Sequence, residues 1–200
     1  MTVEFTFLYA IQDLNNAFWD PIMIFFSTIG NNGMVWIGIA FVFLMIKRHR
    51  ETGFAMAIAL LLSLIVCNLV LKNIVQRPRP FWIDEQIVLK IEAPGDFSFP
   101  SGHTFSSFAA AVAIFLCNRK FGCPALVLAA SIAFSRLYLF VHYPTDVLAS
   151  VVLGSCAGFL AVVAVRSGLN PIIRKAGRIA PVPETIGEND ERRHDEIDTK

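Results

Sequence analysis

Charged residues are scarce in this chain of 200 residues. Asp, Glu, Lys and Arg together make up 16% of it, against about 25% in an average soluble domain. Two stretches of 19 residues, 53–71 and 147–165, contain no charged residue. A helix of about 20 apolar residues is long enough to cross the hydrocarbon core of a bilayer. The scarcity of charge therefore excludes a soluble globular protein. It predicts an integral membrane protein with several spans and no separate soluble domain.

Three further features are missing from the sequence, and each absence argues against one kind of site or segment. No basic run with interleaved aromatic residues occurs and the net charge is only +1, so nucleic acid is not expected as a partner. The first 20 residues contain no Lys or Arg and lack the positive region expected of a signal peptide. The four cysteines have no metal-ligand spacing and are interpreted as small apolar packing residues: Cys67, Cys117, Cys123 and Cys156.

The apolar runs predict an all-α fold, a polytopic membrane bundle of about five or six membrane-embedded helices. We expect an aromatic-rich helix at the membrane interface over 1–16, a membrane domain over 17–166, and a charged, partly disordered tail over 167–200. The sequence GNNG at 30–33 is a turn signal that divides the apolar run 21–46 into two short helices or a kinked pair. The remaining helices are predicted over 53–72, 104–118, 122–141 and 146–165.

The basic residues are concentrated on one side of the predicted bundle. Nine of them lie near helix ends there, with Glu51 as the nearby acid: Lys47, Arg48, Arg50, Arg119, Lys120, Arg166, Arg174, Lys175 and Arg178. The loop 73–100, on the opposite side, carries acids that balance its bases. Because basic loops stay in the cytoplasm, we expect a multi-pass protein of the cell membrane. Its tail would be cytoplasmic, and the loop 73–100 would face the extracytoplasmic side.

Three groups of polar residues meet the membrane on that extracytoplasmic side. One group ends the helix 53–72, the second begins the next helix, and the third lies at the turn between the last two helices. In chain order the groups are Lys72 and Arg79; Ser101, Gly102 and His103; and Arg136, His142 and Asp146. They are distant in sequence, but a chain that crosses the membrane up and down brings them to one face. Their convergence predicts a single site.

These residue types suit a phosphate ester. Lysine and arginine bind phosphate oxygens, and arginine can do so through two parallel hydrogen bonds. The free backbone N–H groups of the helix that begins at Ser101 form an anion site, and Gly102 permits a close approach. His103 and His142 belong to the residue type that attacks or transfers protons near neutral pH. Asp146 lies four residues after His142 and can orient an imidazole ring.

Taken singly, several of these residues have simpler explanations. Lys72 or Arg77 can extend to the lipid headgroups, and His103 can be an interfacial polar residue. Arg136 is different, because it lies within an otherwise apolar stretch, where a charged residue indicates function. The joint occurrence on one side favours a functional site. No dense set of carboxylates or thiolates accompanies the histidines, so we expect no metal and no cofactor.

The three groups resemble the signature motifs of the type 2 phosphatidic acid phosphatase superfamily. This superfamily includes membrane lipid phosphatases and, distantly, vanadium haloperoxidases. The motifs in this chain are Lys72-x6-Arg79-Pro80, Pro100-Ser101-Gly102-His103 and Ser135-Arg136-x5-His142-x3-Asp146. All three match at every motif position and in the family's order, and the helices on both sides fit its helical core.

The resemblance implies a role for each residue. His142 would be the nucleophile that forms a phosphohistidine, and Asp146 would orient it. His103 would protonate the leaving oxygen and later activate water. Five residues would bind the phosphoryl oxygens and stabilise the trigonal-bipyramidal state: Lys72, Arg79, Ser101, Gly102 and Arg136. The family needs no metal, in agreement with the missing ligand set.

The motifs identify the superfamily more closely than they identify the substrate. The short chain, the small loops and the outward site resemble bacterial undecaprenyl-diphosphate phosphatases, which release inorganic phosphate from the carrier lipid outside the cytoplasmic membrane. A phosphatidylglycerophosphate or phosphatidic acid phosphatase, with the same chemistry and a different tail, is the nearest alternative. From another class, a lipid flippase, transporter or channel would bind headgroups without cleaving them, but it would not need His142, Asp146 and His103. The expected partners are a phosphorylated lipid and the bilayer, and the oligomeric state is left open.

Overall fold

The computed structural model of the protein describes residues 3–169, and every regular element within them is a helix. In this part of the chain nine α-helices follow one another: α1 (Val3–Gln12), α2 (Trp19–Ile29), α3 (Met34–Met45), α4 (Arg50–Ser63), α5 (Lys72–Val75), α6 (Pro80–Ile83), α7 (Gly102–Cys117), α8 (Arg119–Tyr138) and α9 (Pro144–Ala164). A π-helical segment, Leu64–Leu71, joins α4 to α5, and another, Val165–Leu169, follows α9. The predicted all-α fold is confirmed.

Several of these helices are long enough to span a membrane. By length and composition, three described helical stretches qualify: Lys47–Ile83, Arg119–Tyr138 and Pro144–Gly168. Helices α2 and α3 form a fourth candidate if the pair, bent by 49°, is counted as one span. Helix α7 is a shorter apolar helix. Together these are five apolar segments, in agreement with the predicted multi-pass bundle.

Some helix ends differ from the sequence-based expectations. The helix predicted over 53–72 begins earlier, at Arg50, and helical structure continues to Val75 because the π-helical segment joins α4 to α5 without a break. Helix α8 begins at Arg119, three residues earlier than expected. The reason is Asn118, whose Oδ1 accepts hydrogen bonds of 3.0 and 3.4 Å from two backbone N–H groups of the first turn. A side-chain acceptor at this position defines where a helix starts.

Helix α7 is the centre of the bundle and packs against α4, α8 and α9. Its contact with α9 is close because two glycines of α9 face its backbone. A Cβ at Gly154 would lie 2.5 Å from the carbonyl oxygen of Phe105, and one at Gly158 would lie 2.4 Å from that of Ala109. Small residues at this spacing let membrane helices approach closely. The paired residues advance together, so α7 and α9 run parallel and start on the same side.

The N-terminal helix is shorter than predicted. Helix α1 ends at Gln12 rather than near residue 16, since the next residues include Asp13, Asn15 and Asn16, which favour turns over helix interiors. Helix α1 contacts α8 and α9. Its location at the membrane interface and the limits of the domain 17–166 stay predictions. The predicted tail, 167–200, lies outside the described residues except for its first three.

Candidate active site

A cavity of about 620 Å³ lies where the three predicted polar groups meet. Six of the eight predicted site residues line it: Lys72, Arg79, Gly102, His103, Arg136 and His142. The other two, Ser101 and Asp146, are fully buried and do not line it. The structure thus brings all three sequence segments together at one place.

His142 and Asp146 form a buried pair. Nδ1 of His142 lies 3.6 Å from Oδ2 of Asp146. Ser98 adjoins both, since its Oγ lies 3.4 Å from Nδ1 and donates a 2.5 Å hydrogen bond to Oδ2. The other ring nitrogen, Nε2, lies 3.3 Å from Nη1 of Arg79. With a carboxylate near Nδ1, the opposite ring nitrogen, Nε2, lies on the side of the Arg79 guanidinium.

The local sequence at the start of α9 holds this pair in place. Pro144 occupies the first turn, where its missing N–H costs no hydrogen bond. Asp146 accepts a 3.0 Å hydrogen bond from the backbone N–H of Tyr143, the N-cap residue. This hydrogen bond fixes the carboxylate at the helix start. His142 lies in the turn just before it, so the helix start and the motif spacing together determine the pair.

Burial determines the charge of His142, which is 1% exposed. Burial lowers the pKa of His142 to about 3, although the hydrogen bond to Asp146 raises it, and the charges of Arg79 and Arg136 add to the lowering. The imidazole is therefore neutral near pH 7. A neutral imidazole has a lone pair on one nitrogen, which a nucleophile requires.

Three of the cations that line the cavity come from separate parts of the chain. Lys72 begins α5 and is buried. Arg79, 2% exposed, donates hydrogen bonds of 2.6 and 2.7 Å to two backbone carbonyl oxygens. Arg136 lies near the end of α8 and donates to Oγ of Ser27. Its Nε is buried and has no hydrogen-bond partner among the described residues. A buried guanidinium with an unused N–H at a cavity wall suits an anionic ligand.

The carboxylate of Asp96 lies between two of these cations. It forms ion pairs with Lys72 and, at 2.5 Å, with Nη2 of Arg79, and its side chain is 54% exposed. Burial alone would raise the pKa of Asp96, but the hydrogen bond and charge of Lys72, with those of Arg79, lower it to about 2. The carboxylate is therefore ionised at any working pH. A phosphate that binds these cations must compete with it.

The interpretation of Arg77 as a headgroup contact is wrong, because its guanidinium contacts the protein. Nη1 donates a 2.6 Å hydrogen bond to Oδ1 of Asp146, and Nη2 donates a 2.5 Å hydrogen bond to Oε2 of Glu4. The guanidinium also lies 3.9 Å from the centre of the Tyr143 ring. Arg77 thus connects α1 to the carboxylate that faces His142.

The start of α7 forms another part of the site. Ser101 is the N-cap residue of α7 and is fully buried. A Cβ at Gly102 would lie 3.7 Å from Nζ of Lys72, so the cation lies against the first turn of the helix. His103 follows, and its Nε2 lies 2.9 Å from Oδ1 of Asn31. Backbone N–H groups, a lysine and a histidine therefore meet at this helix start.

Four residues that contact the predicted site were not identified from the sequence: Ser27, Asn31, Asp96 and Ser98. Asn31 belongs to the GNNG sequence, which predicts only a turn. Asp96 is one of several acids in the loop 73–100, and Ser98 lies just before the second motif. Only the tertiary contacts distinguish them from other polar loop residues.

No group of three or more His, Cys, Asp or Glu side chains within residues 3–169 is arranged to hold a metal ion. The expectation that the protein uses no metal and no cofactor stays a prediction.

This helical membrane bundle has a cavity lined by two histidines and several cations, with a buried carboxylate beside one of the histidines, and such a site is suited to phosphate esters. The chain belongs to the PAP2 superfamily, whose family model matches residues 52–168, more than half of the chain. The resemblance found in the motifs is thereby confirmed, and the protein is a hydrolase acting on lipid phosphates.

Individual relatives support this assignment. The chain is 34% identical over 142 residues to an undecaprenyl-diphosphatase of Sulfolobus acidocaldarius, a match covering 70% of this chain and 68% of the relative. It is 36% identical over 96 residues to the undecaprenyl-diphosphatase BcrC of Bacillus subtilis, covering 48% of this chain and 49% of the relative. In fold it is similar to Aquifex aeolicus LpxE, with a TM-score of 0.69, 24% identity, and coverage of 81% of this chain and 96% of the other.

Proposed function

We propose that this enzyme is an undecaprenyl-diphosphate phosphatase, which removes the terminal phosphate of the lipid as inorganic phosphate. The observation that carries the proposal is the position of Nε2 of His142, beside Arg79 and at a cavity that His103 also lines. A nucleophile, a proton donor and fixed cations at one cavity suit phosphoryl transfer. The similarity to relatives named undecaprenyl-diphosphatase supports this choice of substrate.

An apolar groove next to the cavity suits the lipid tail. The groove has a volume of about 480 Å³ and shares Lys72, Gly102 and His103 with the cavity. Aliphatic side chains of α3, α4 and the π-helical segment line it: Ile37, Leu60, Leu61 and Leu64. A lipid phosphate would bind with its phosphate head among the cations of the cavity and its apolar tail in this groove.

In the proposed first step, Nε2 of His142 attacks the terminal phosphorus. A P–N bond forms and the bond from phosphorus to the bridging oxygen breaks, with its electron pair moving to the leaving lipid phosphate. His103 donates a proton to that oxygen. Asp146, near Nδ1, stabilises the positive imidazole that now carries the phosphoryl group.

The proposed second step releases phosphate. Water attacks the phosphohistidine and gives its proton to His103, the P–N bond breaks, and His142 returns to its neutral form. In both steps the phosphoryl oxygens and the five-coordinate state are stabilised by the same residues, through side chains or backbone N–H groups: Lys72, Arg79, Ser101, Gly102 and Arg136.

We further propose that residues 17–166 form the phosphatase domain and that its cavity faces the extracytoplasmic side. Six basic residues of the described chain, near the helix ends opposite the cavity, support this orientation: Lys47, Arg48, Arg50, Arg119, Lys120 and Arg166. The parallel course of α7 and α9 agrees with it, since both helices start at the cavity.

Phosphate release by the purified full chain in detergent tests the proposal. The substrates are undecaprenyl diphosphate, undecaprenyl phosphate, phosphatidylglycerophosphate and phosphatidic acid, and His142→Ala is the inactive control. The diphosphate is expected to give the highest kcat/KM. Hydrolysis of a glycerolipid in preference to it would reassign the substrate. Headgroup binding without phosphate release from any lipid would favour a transporter or flippase and overturn the proposal.

A further inference from the structure

The break between α2 and α3 lies directly beside His103. Oδ1 of Asn31, within the break, is 2.9 Å from Nε2 of His103. An amide oxygen only accepts hydrogen bonds, so Nε2 carries a proton in this arrangement and donates to Asn31. Both residues line the cavity that His142 also lines. The shared hydrogen is therefore presented at the cavity wall.

The sequence GNNG makes this contact possible. The Cβ position at Gly30 lies 2.9 Å from Cδ2 of His103 and equally close to a side chain of α8, so a larger residue would push the break away from the histidine. Asn32 and Gly33 have φ values of 52° and 66°, a backbone conformation that glycine and asparagine adopt most readily. The helix therefore ends at a defined place, and Asn31 faces the site.

The end of α2 also contacts another site residue. Oγ of Ser27 accepts a hydrogen bond from Nη1 of Arg136. The family match begins at residue 52, so Ser27 and Asn31 lie in a part of the chain that this match does not cover. A segment outside the three motifs thus contacts two motif residues, His103 and Arg136.

The two histidines of the cavity have partners of different charge. His142 faces the carboxylate of Asp146, whereas His103 faces the neutral amide of Asn31. A carboxylate stabilises an imidazolium, but a neutral amide orients the ring without that stabilisation. An amide also has both an acceptor oxygen and a donor nitrogen, so it can partner His103 before and after a proton leaves.

We propose that Asn31 is a positioning residue for His103, holding Nε2 at the cavity wall as the nitrogen that exchanges the proton. This inference rests on the proposed function. His103 enters this step as the imidazolium, with a proton on each ring nitrogen. As phosphorus separates from the leaving oxygen, the proton moves from Nε2 to that oxygen, which replaces Asn31 as the acceptor, and the ring is left neutral with its remaining proton on Nδ1. When water attacks the phosphohistidine, Nε2 takes the proton back and the hydrogen bond to Asn31 forms again.

Other charged groups face His103 from the neighbouring elements, and a substitution at Asn31 leaves all of them in place. These groups are Lys72 of α5, Arg79, Lys90, Glu92 and Asp96 between α5 and α7, Arg136 of α8, and His142 before α9. A change in the pH profile after substitution of Asn31 therefore reports the contact between Asn31 and His103.

The test compares two phosphate monoesters that differ in their need for a proton. Dodecyl phosphate has a strongly basic alkoxide leaving group, whereas para-nitrophenyl phosphate has a weakly basic phenolate. General acid catalysis contributes about 10²–10⁴-fold where the leaving group needs a proton. Asn31→Ala is therefore expected to lower kcat for the dodecyl ester about tenfold or more and kcat for the nitrophenyl ester much less. Ser131→Ala is the matched control: Ser131 of α8 does not line the cavity, and its Oγ donates a 3.0 Å hydrogen bond to the backbone oxygen of Val127 within that helix.

Asn31→Asp keeps the shape of the side chain and adds a negative charge. A carboxylate beside His103 favours its protonated form, so the alkaline limb of the pH–rate profile is expected to move to higher pH. A purely structural role for Asn31 would not move that limb. Equal losses with both esters in Asn31→Ala, or an unmoved limb in Asn31→Asp, would overturn the inference. If the wild-type protein releases phosphate from neither the esters nor the lipids, the proposed function is overturned together with this inference.

Discussion

Arg77 donates a 2.6 Å hydrogen bond to Oδ1 of Asp146, while Oδ2 of the same carboxylate lies 3.6 Å from Nδ1 of His142. Arg77 also pairs with Glu4 of α1 at 2.5 Å. One side chain thus connects the N-terminal helix to the buried pair. The carboxylate is held from both sides, by Arg77 on one oxygen and by Ser98 on the other.

Arg77→Ala is expected to lower kcat because Asp146 loses a charged partner and the pair with His142 loses its fixed orientation. We expect a loss of about tenfold, because a hydrogen bond to a charged group contributes about 1.5 kcal/mol or more and about 1.4 kcal/mol changes a rate tenfold. Glu4→Gln should have a smaller effect, since Glu4 contacts Arg77 and Thr145 and not Asp146 itself. Phosphate release measured over a range of substrate concentrations separates kcat from KM.

Arg48→Ala is the control for this prediction, because Arg48 is an exposed arginine in the loop before α4. Its activity should equal that of the wild type. Full activity in Arg77→Ala would show that the contact with Asp146 has no part in catalysis.

Asp96→Asn is expected to strengthen inhibition by vanadate, which resembles the five-coordinate phosphorus of the reaction. The carboxylate of Asp96 pairs with Lys72 and Arg79, and its charge competes with any anion that binds them. Because the pKa of Asp96 is lowered to about 2, protonation does not relieve this competition at working pH. The measurement is the inhibition constant for vanadate, with Glu92→Gln on the same loop as control. Weaker inhibition in Asp96→Asn would mean that the carboxylate organises the cations instead of competing for them.

The convergence of the three motifs could be predicted from the sequence for a physical reason. Long apolar runs must cross the bilayer, and alternate crossing places Lys72, His103 and His142 on one face. The GNNG sequence likewise predicted the break between α2 and α3, because glycine and asparagine interrupt helices.

The supporting contacts could not be predicted in this way. Asn31, Asp96 and Arg77 contact residues that are 17 to 73 positions away in sequence, and nothing local distinguishes them from other polar loop residues. Their partners depend on how α1 and the break after α2 pack against α8 and α9. From the sequence alone, contact with lipid headgroups was the simplest explanation of Arg77, because its contact with Glu4 is visible only in the folded protein.

The pKa of His142 predicts a pH-dependent stability. Burial lowers the pKa of His142 to about 3, below its value of about 6.5 in an unfolded chain. Between these values the unfolded state binds more protons, so this contribution is complete above about pH 6.5 and falls as the pH falls, by up to about 1.4 kcal/mol per pH unit. The thermal midpoint in detergent should therefore drop on acidification more steeply for the wild type than for His142→Gln. Equal slopes for the two proteins would contradict the neutral, buried state of His142.

The proposed orientation of the bundle predicts which loops are accessible from outside the cell. A cysteine at Val88, an exposed position between α6 and α7, should react with an impermeant thiol reagent in intact cells, and a cysteine at Arg48 should not. The two substitutions are made in a background without the four native cysteines. Labelling at Arg48 but not at Val88 would reverse the assignment made from the basic residues.

The assignment of the two histidines predicts opposite responses to the leaving group. His142→Ala removes the proposed nucleophile and should leave little activity on any substrate. His103→Ala removes the proposed proton donor but leaves the proposed nucleophile, so it should be strongly impaired on an alkyl phosphate. It should recover activity on an aryl phosphate with an acidic phenol, whose leaving group needs no proton. Phosphate release by both variants from both substrates is the measurement.

Recovery of the His103 variant alone by the aryl phosphate supports the assignment, whereas recovery of the His142 variant alone would show that the two roles are reversed. Trapping under acid-free conditions adds a direct readout, since a phosphohistidine should form on wild type and on His103→Ala but not on His142→Ala. Turnover that requires added magnesium and stops with chelator would exclude the phosphohistidine route. The contacts of the two rings favour the expected outcome: the carboxylate of Asp146 lies beside the ring that is proposed to become positive on phosphorylation, and the neutral amide of Asn31 lies beside the ring that is proposed to give its proton away.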